Sequence, residues 1–357
     1  MQLKAEEVKE VVRSVRDPEL GRTLDELNAV GQVQVDGEVV AVELVFPTPA
    51  YPEPERIAEA VRQAVRQKWP DVSKVEVTWK AVVRGKMSGG KIGLRVKNVL
   101  AVGSGKGGVG KSTVAAALAF GFKQFGAQVG LMDADVYGPS IPHLVGVHEQ
   151  PAITEYRAED GRLVQKIRPV DCDGMKLLSI GLMIREDQPV IWRGPMLHGA
   201  LTQFLKDADW GELDYLVVDL PPGTGDVAIT LSQLVSLAGA VVVCTPQKIA
   251  LLDAVKAVAM FRQVNIPVLG VVENMSGDVF GRGGAREKAK ELGVPFLGEI
   301  PSLPEIRVKG DEGRIADLFA EDCPARQPLL HVCQQVALQV ANQVLGTGEL
   351  PQLEVLE

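Results

Sequence analysis

Gly105-Lys-Gly-Gly-Val-Gly-Lys-Ser-Thr113 is the stretch on which the fold of this chain turns. It satisfies the phosphate-loop spacing G-x-x-x-x-G-K-[ST], with Gly105, Gly110, Lys111 and Ser112 at the fixed positions. The six residues before it, 98–103, form a short apolar run of β type, and residues 112–125 after it are Ala-rich and favour a helix. In a strand–loop–helix setting, the backbone of Gly107, Gly108, Val109 and Gly110 can curl its N–H groups around phosphate oxygens. The helix N-terminus adds partial positive charge. Lys111 would then reach the terminal phosphates and the Ser112 hydroxyl would hold Mg²⁺, with Thr113 beside it. The stretch therefore predicts nucleotide binding through residues 105–113.

Working outward, apolar β-type runs recur at 98–103, 128–132, 176–180, 214–219, 240–244, 267–272 and 295–298, and helical segments separate most of them. Such alternation predicts an α/β fold, a P-loop NTPase with a mainly parallel sheet flanked by helices. The site belongs at the carboxyl ends of the strands. The last segment, 325–345, carries Leu329, Cys333, Val336, Val340 and Val344 on one helical stripe. Upstream, residues 1–82 form a small α/β domain: helical periodicity over 5–15, strands over 30–35 and 38–46 around Asp36-Gly37, a helix over 54–68 and a strand over 72–79. Residues 83–97 carry Arg84, Lys86, Lys91, Arg95 and Lys97 around Ser88-Gly89-Gly90 and no acid, which reads as a basic flexible linker. The nucleotide domain is then 98–357.

Three acids follow strand-like runs. Asp219 closes Tyr215-Leu-Val-Val-Asp219, a position suited to hold Mg²⁺ through a water. Asp133 and Asp135 close Val129–Met132; Asp133 joins Ser112 and Asp219 as a metal residue, and Asp135 is expected to orient the attacking water. In Pro221-Pro-Gly-Thr-Gly-Asp226, the backbone N–H of Gly223 is placed to meet the terminal phosphate and sense its loss. A phosphate loop requires only Lys111, yet Lys106 follows the first glycine. A second cation there would neutralise charge developing on the transferred phosphoryl group.

With Lys106 in place, the loop resembles the deviant Walker A signature of the MinD/ParA and nitrogenase-iron-protein class. Asp133-Ala-Asp-Val-Tyr-Gly-Pro-Ser-Ile-Pro142, Trp192-Arg-Gly-Pro-Met196, Asp219-Leu-Pro-Pro-Gly-Thr-Gly-Asp226 and Glu273-Asn-Met-Ser276 resemble its Mrp/ApbC branch of iron–sulfur cluster carrier ATPases. Residues 1–82, with Asp17-Pro-Glu-Leu20, resemble the small domain that many bacterial members carry in front. The resemblance implies ATP as the nucleotide, a nucleotide-sandwiched homodimer in which Lys106 crosses to the partner's phosphates, and an adenine contact from Asn274. It further implies apo-protein clients or assembly proteins as partners and a [4Fe–4S] cluster as cargo. Members of the family usually carry C-x-x-C soon after the Glu-Asn-Met-Ser stretch, where this chain runs on as Gly277-Asp-Val-Phe-Gly-Arg-Gly-Gly284. They usually place a cysteine before a proline after the small domain's hairpin; here Tyr51 precedes Pro52.

Four cysteines, at 172, 244, 323 and 333, exclude a disulfide framework and form no C-x-x-C pair. Cys244 and Cys333 read as core residues, whereas Cys172 between two aspartates and Cys323 before Pro324 read as exposed. The four histidines, at 143, 148, 198 and 331, are scattered and read as packing or solvent-facing. A net charge of −8 argues against non-specific binding to nucleic acid or anionic membrane. With neither an apolar leader nor a membrane-length apolar run, the expected location is cytoplasmic. Three functions stay open at this level: an ATP-hydrolysing iron–sulfur carrier, a cluster-free MinD/ParA-like ATPase that positions or delivers a partner, and a small-substrate enzyme on the same fold. The acidic 346–357 tail, without Lys or Arg, counts against the membrane-targeting form of the second. The third lacks a substrate acid–base constellation.

Overall fold

Alternating apolar residues build the first unit. A computed structural model describes residues 3–85, 87–88, 92–157, 163–183, 194–223 and 225–346. They divide into one compact unit of 3–84 with 341–346 and another within 85–340. In the first, helix α1 (Ala5–Ser14) precedes the hairpin β1 (Val30–Asp36) and β2 (Val39–Phe46), turned at Gly37 with φ +60°. Helix α2 (Pro54–Lys68) then crosses over to β3 (Lys74–Ala81), which pairs parallel to β2. Val40, Val42, Leu44 and Phe46 point inward, with Ile57, Val61 and Val65 of α2 and Val8 and Val12 of α1 buried against that side. Tyr51 stacks on Phe46 at 4.4 Å and donates its hydroxyl to Asp17 Oδ1 at 2.7 Å. The same oxygen accepts the N–H groups of Glu19 and Leu20, so Asp17 and Tyr51 lock each other in the interior.

The second unit starts at β4 (Val96–Gly103), apolar on both faces as a sheet covered on both sides requires. Helix α3 (Lys111–Gln124) follows the glycine loop, and β5 (Val129–Asp133) returns beside β10 (Leu213–Asp219). The short helix α4 (Ile141–Val145), the hairpin β6 (Ala152–Arg157)–β7 (Leu163–Arg168), β8 (Val170–Cys172) and β9 (Met175–Ser179) lie between them in sequence. Helices α5 (Gly194–Lys206), α6 (Gly225–Leu234), α7 (Lys248–Gln263), α8 (Gly284–Leu292), α9 (Pro304–Asp311) and α10 (Arg326–Gly346) complete the order with β11 (Leu237–Cys244), β12 (Val268–Ser276) and β13 (Phe296–Pro301). The sheet runs β13-β12-β11-β4-β10-β5-β9-β8, parallel except for β8 at the edge. Val99, Ala101, Leu216, Val218 and Val242 pack against α5–α8; the alternate residues Leu100, Val102, Leu131 and Val217 are buried towards α3, whose Phe122 stacks on Tyr215. A side chain on Gly121 would collide with Cys333 Sγ, so α3 and α10 meet at close range.

The expected parallel α/β architecture is therefore the observed one, with two corrections. Residues 152–157, 163–168 and 170–172 form antiparallel strands that the alternation did not predict; Ile153 and Leu163 of β6 and β7 stand exposed, so no buried face wrote a period into the sequence. The expected solvated linker at 83–97 is in part built in. Val83, Leu94 and Val96 are buried, Ser88 bonds the backbone of Val96 and Ser236, and Lys97 pairs with Asp214 at 2.7 Å inside β4. Burial of these apolar side chains overrides the charge pattern, although Met87 stays exposed. Lys86 and residues 89–91 lie outside the described residues, as do Trp192, Arg193, Thr224 and 347–357.

Candidate functional site

Three neighbouring strands deliver the site. The order β4-β10-β5 sets the glycine loop, Asp219 and Asp133 side by side, with Asp219 and Asp133 in direct register. From the first turn of α3, Lys111 places Nζ 2.6 Å from Asp219 Oδ1 and 3.5 Å from Asp135 Oδ2, and donates to Ser112 Oγ at 3.2 Å. Lys111, Asp135 and Asp219 are all buried. A buried ammonium is tolerated only when paired, and here one lysine offsets two carboxylates. Burial pushes the Asp219 carboxyl upward against the pull of Lys111.

Asp133 departs from its expected role as a metal residue. Its Oδ1 accepts the N–H of Asp135, and its Oδ2 accepts the N–H of Ile141 and the Ser179 hydroxyl. Fully buried, and beside Asp219, its carboxyl is pushed up to about 8. With both oxygens used internally, Asp133 holds the segment 134–141. Asp135 gains its aim from this: its backbone is held by Asp133, and its own Oδ1 accepts the Gly138 N–H at 3.2 Å.

A cavity of about 350 Å³ opens beside these groups, lined by Ser104, Lys106, Gly107, Gly108, Asp135 and His143 among others. Gly110, Lys111, Ser112 and Thr113 also line it. Gly108 and Gly110 take φ +79° and +77°, a region that favours glycine, and a side chain at Gly105 would strike the Asp253 carbonyl of α7. Lys106 lines the cavity without an ion-pair partner among the described residues. His143, expected to serve packing or solvent, instead lines the cavity from α4. Nothing in its spacing distinguishes it, because the loop 134–140 alone brings it there.

Two further predicted residues sit against the loop's own backbone. Gly223 donates its N–H to the Ser104 carbonyl at 2.9 Å, and the Ser104 hydroxyl bonds the Lys106 carbonyl, which ties the 221–223 turn to the loop. Asn274, buried, donates its amide to the Val109 carbonyl at 2.8 Å, and any side chain at Gly110 would collide with that amide. Met275 beside it holds φ +59°, a strained value for a long side chain. The contribution of Glu273 escaped the sequence reading: its carboxylate accepts the N–H groups of Gly283 and Ala285 and so caps α8. Between them, Gly277 and Gly281 exchange both backbone hydrogen bonds, at 2.9 and 2.7 Å, and close a tight turn over 277–281.

The donor set fits a hard cation. Asp219 Oδ2 is buried with no hydrogen-bond partner among the described residues, and the Ser112 hydroxyl bonds the same carboxylate that Lys111 holds. An orphaned carboxylate oxygen so placed suits Mg²⁺ coordination through water. One cysteine expectation is corrected: Cys172 is buried, because β8 turns it inward at the sheet edge, and Cys323 is half-buried.

Residues 95–337 match the family described as NUBPL iron-transfer P-loop NTPase, and residues 5–79 match the iron-sulfur cluster assembly protein family. An iron-sulfur cluster carrier protein of Deinococcus radiodurans is 46% identical over 354 residues, covering 96% of this chain and 97% of its own. A nucleotide-binding protein of Archaeoglobus fulgidus, solved in complex with ADP, superposes with a TM-score of 0.53 at 36% identity over 65% of this chain and 91% of its own. The cell division ATPase MinD of Pyrococcus furiosus, at 23% identity and a TM-score of 0.51 over 67% of this chain and 98% of its own, shares the fold. The similarity thus favours the carrier reading over the cluster-free one. The chain belongs to the iron–sulfur cluster carrier family of NUBPL-type P-loop NTPases.

Proposed function

We propose that this chain binds ATP with Mg²⁺ at residues 105–113, hydrolyses it, and uses the cycle to drive iron–sulfur cluster delivery as a nucleotide-switched homodimer in the cytoplasm. The observation that carries this reading is the buried Asp219–Lys111–Asp135 constellation at the mouth of a glycine loop, with Lys106 lining the same cavity and without an ion-pair partner among the described residues. Backbone N–H groups of 107–110 bind the phosphates, and Lys111 swings from its two acids to the triphosphate. Ser112 and Asp219 hold Mg²⁺, which supplies charge neutralisation on the phosphate oxygens. Asp135 takes the proton of the attacking water in line with the terminal phosphate, and Lys106 of the opposite copy meets the charge that develops there. The Gly223 N–H exchanges the Ser104 carbonyl for the terminal phosphate, so loss of that phosphate returns the turn to the loop. Asn274, under the loop, is assigned to the adenine side. Residues 1–82 act as an accessory domain in assembly, and the clients are apo-proteins; no role with nucleic acid or membrane is proposed. Among the described residues no helix is long and apolar enough to cross a membrane.

Asp219→Asn tests the Mg²⁺ assignment while keeping the shape. The magnesium concentration needed for half-maximal ATP binding should rise about 10–100-fold, the scale of an outer-shell carboxylate. An unchanged magnesium midpoint in a calorimetric titration would remove Asp219 from the metal site.

A further inference from the structure

We infer that this chain does not hold an iron–sulfur cluster on thiolates of its own, and that the thiolates around any cluster it handles come from another molecule. The inference rests on the carrier reading above and concerns where the cargo is ligated. All four cysteines of the chain lie among the described residues, so the inventory of thiols is complete. Three are buried. Cys244 Sγ faces the Val272 carbonyl at 3.9 Å within the sheet, and Cys333 Sγ faces the Ala117 carbonyl at 3.7 Å between α10 and α3. Cys172 is in the edge strand β8, opposite Met175.

Burial pushes the Cys172 thiol up to about 11 and the Cys244 thiol up to about 12, and moves Cys333 upward as well. Iron is bound by the thiolate, which such surroundings oppose. Only Cys323, in the turn before Pro324, is half-exposed. A twofold dimer would thus offer two thiolates, whereas a [2Fe–2S] or [4Fe–4S] cluster takes four protein ligands. Nor does one copy hold a ligand set by itself: among the described residues no group of three His, Cys, Asp or Glu side chains could hold a metal ion. Residues 1–84 contain neither cysteine nor histidine.

The two places where members of the family usually carry cysteine hold other contacts in this chain. The 277–281 turn is sealed by reciprocal hydrogen bonds between Gly277 and Gly281, and its tip, Asp278-Val279-Phe280, carries no sulfur. The Tyr51 oxygen is spent on the buried carboxylate of Asp17. The Fe–S bonds must be made by a second protein or by a small thiol.

The test is anaerobic incubation of the full-length chain with ferrous and ferric iron, sulfide and MgATP, in parallel without any thiol and with glutathione, followed by gel filtration and iron counting. Bound ATP is measured on the same fractions. Without thiol, less than about one iron per dimer is expected, against the four of a complete [4Fe–4S] cluster. A cluster retained only with glutathione supports the inference and names a small thiol as the source; none in either arm supports it and leaves a protein as the source. About four iron atoms per dimer in the thiol-free arm would overturn it, whichever cysteine held them. Loss of ATP binding would instead count against the nucleotide reading and leave the iron result to stand alone. Native alkylation in the presence of MgATP gives a second readout: Cys323 alone should label rapidly, and rapid labelling of any two cysteines would also overturn the inference.

Discussion

Lys111→Ala is expected to abolish tight ATP binding, whereas Lys106→Ala leaves binding within a few-fold and removes hydrolysis. The difference follows from what each lysine touches. Lys111 is buried between Asp219 and Asp135, and among the described residues it is the one cation paired with them. Without it a triphosphate would face two bare carboxylates, and affinity should fall by about 100-fold or more, the scale of losing one member of a buried charge pair. Since the same change leaves buried acids unpaired, Lys111→Gln and a thermal melt separate loss of binding from loss of fold. Lys106 has no ion-pair partner among the described residues, and on the proposed reading it acts on charge that appears only in the transition state, so kcat should fall about 10³-fold, as for an arginine finger. Binding by equilibrium titration and hydrolysis by phosphate release distinguish the two. Equal loss of binding in both variants would sink the assignment.

Asp135→Asn should bind ATP and Mg²⁺ much as the parent does and turn over about 10²–10⁴-fold more slowly, the usual worth of a positioned proton acceptor. The substitution keeps what holds residue 135 in place: its backbone N–H still reaches Asp133, and the amide oxygen can still accept from Gly138. Only the capacity to take a proton is removed. A wild-type rate in single-turnover hydrolysis would move the role to Asp226, at the start of α6.

Most of this architecture is legible in the sequence because burial writes a period. The seven parallel strands lie on both faces under helices, so each is a continuous apolar run such as Tyr215-Leu-Val-Val, and the loop is fixed by residues with few alternatives. The hairpin over 152–168 is half exposed and leaves no such trace. The acids at 133, 135 and 219 are visible as strand-end carboxylates, but their division of labour is not. That Asp133 spends both oxygens on Asp135, Ile141 and Ser179 depends on how residues eight and 46 positions away fold back, which no local pattern encodes. The same holds for His143 and for Cys172, whose aspartate neighbours suggest exposure while β8 turns it inward. Asn274 is readable as a site residue, yet its hold on Val109, 165 positions away, is a property of the sheet order.

The central claim is that two copies complete each other's nucleotide site, and mixing two inactive variants tests it most directly. In a heterodimer of Lys106→Ala with Asp135→Asn, one site combines an intact Asp135 with the partner copy's intact lysine, and the other carries both defects. If Lys106 acts across the interface, an equimolar mixture should regain about a quarter of the parent ATPase rate, since half of randomly assorted dimers then hold one working site of two. If the mixture stays as inactive as its components while sedimentation shows that heterodimers have formed, Lys106 does not act across the interface and the account is contradicted.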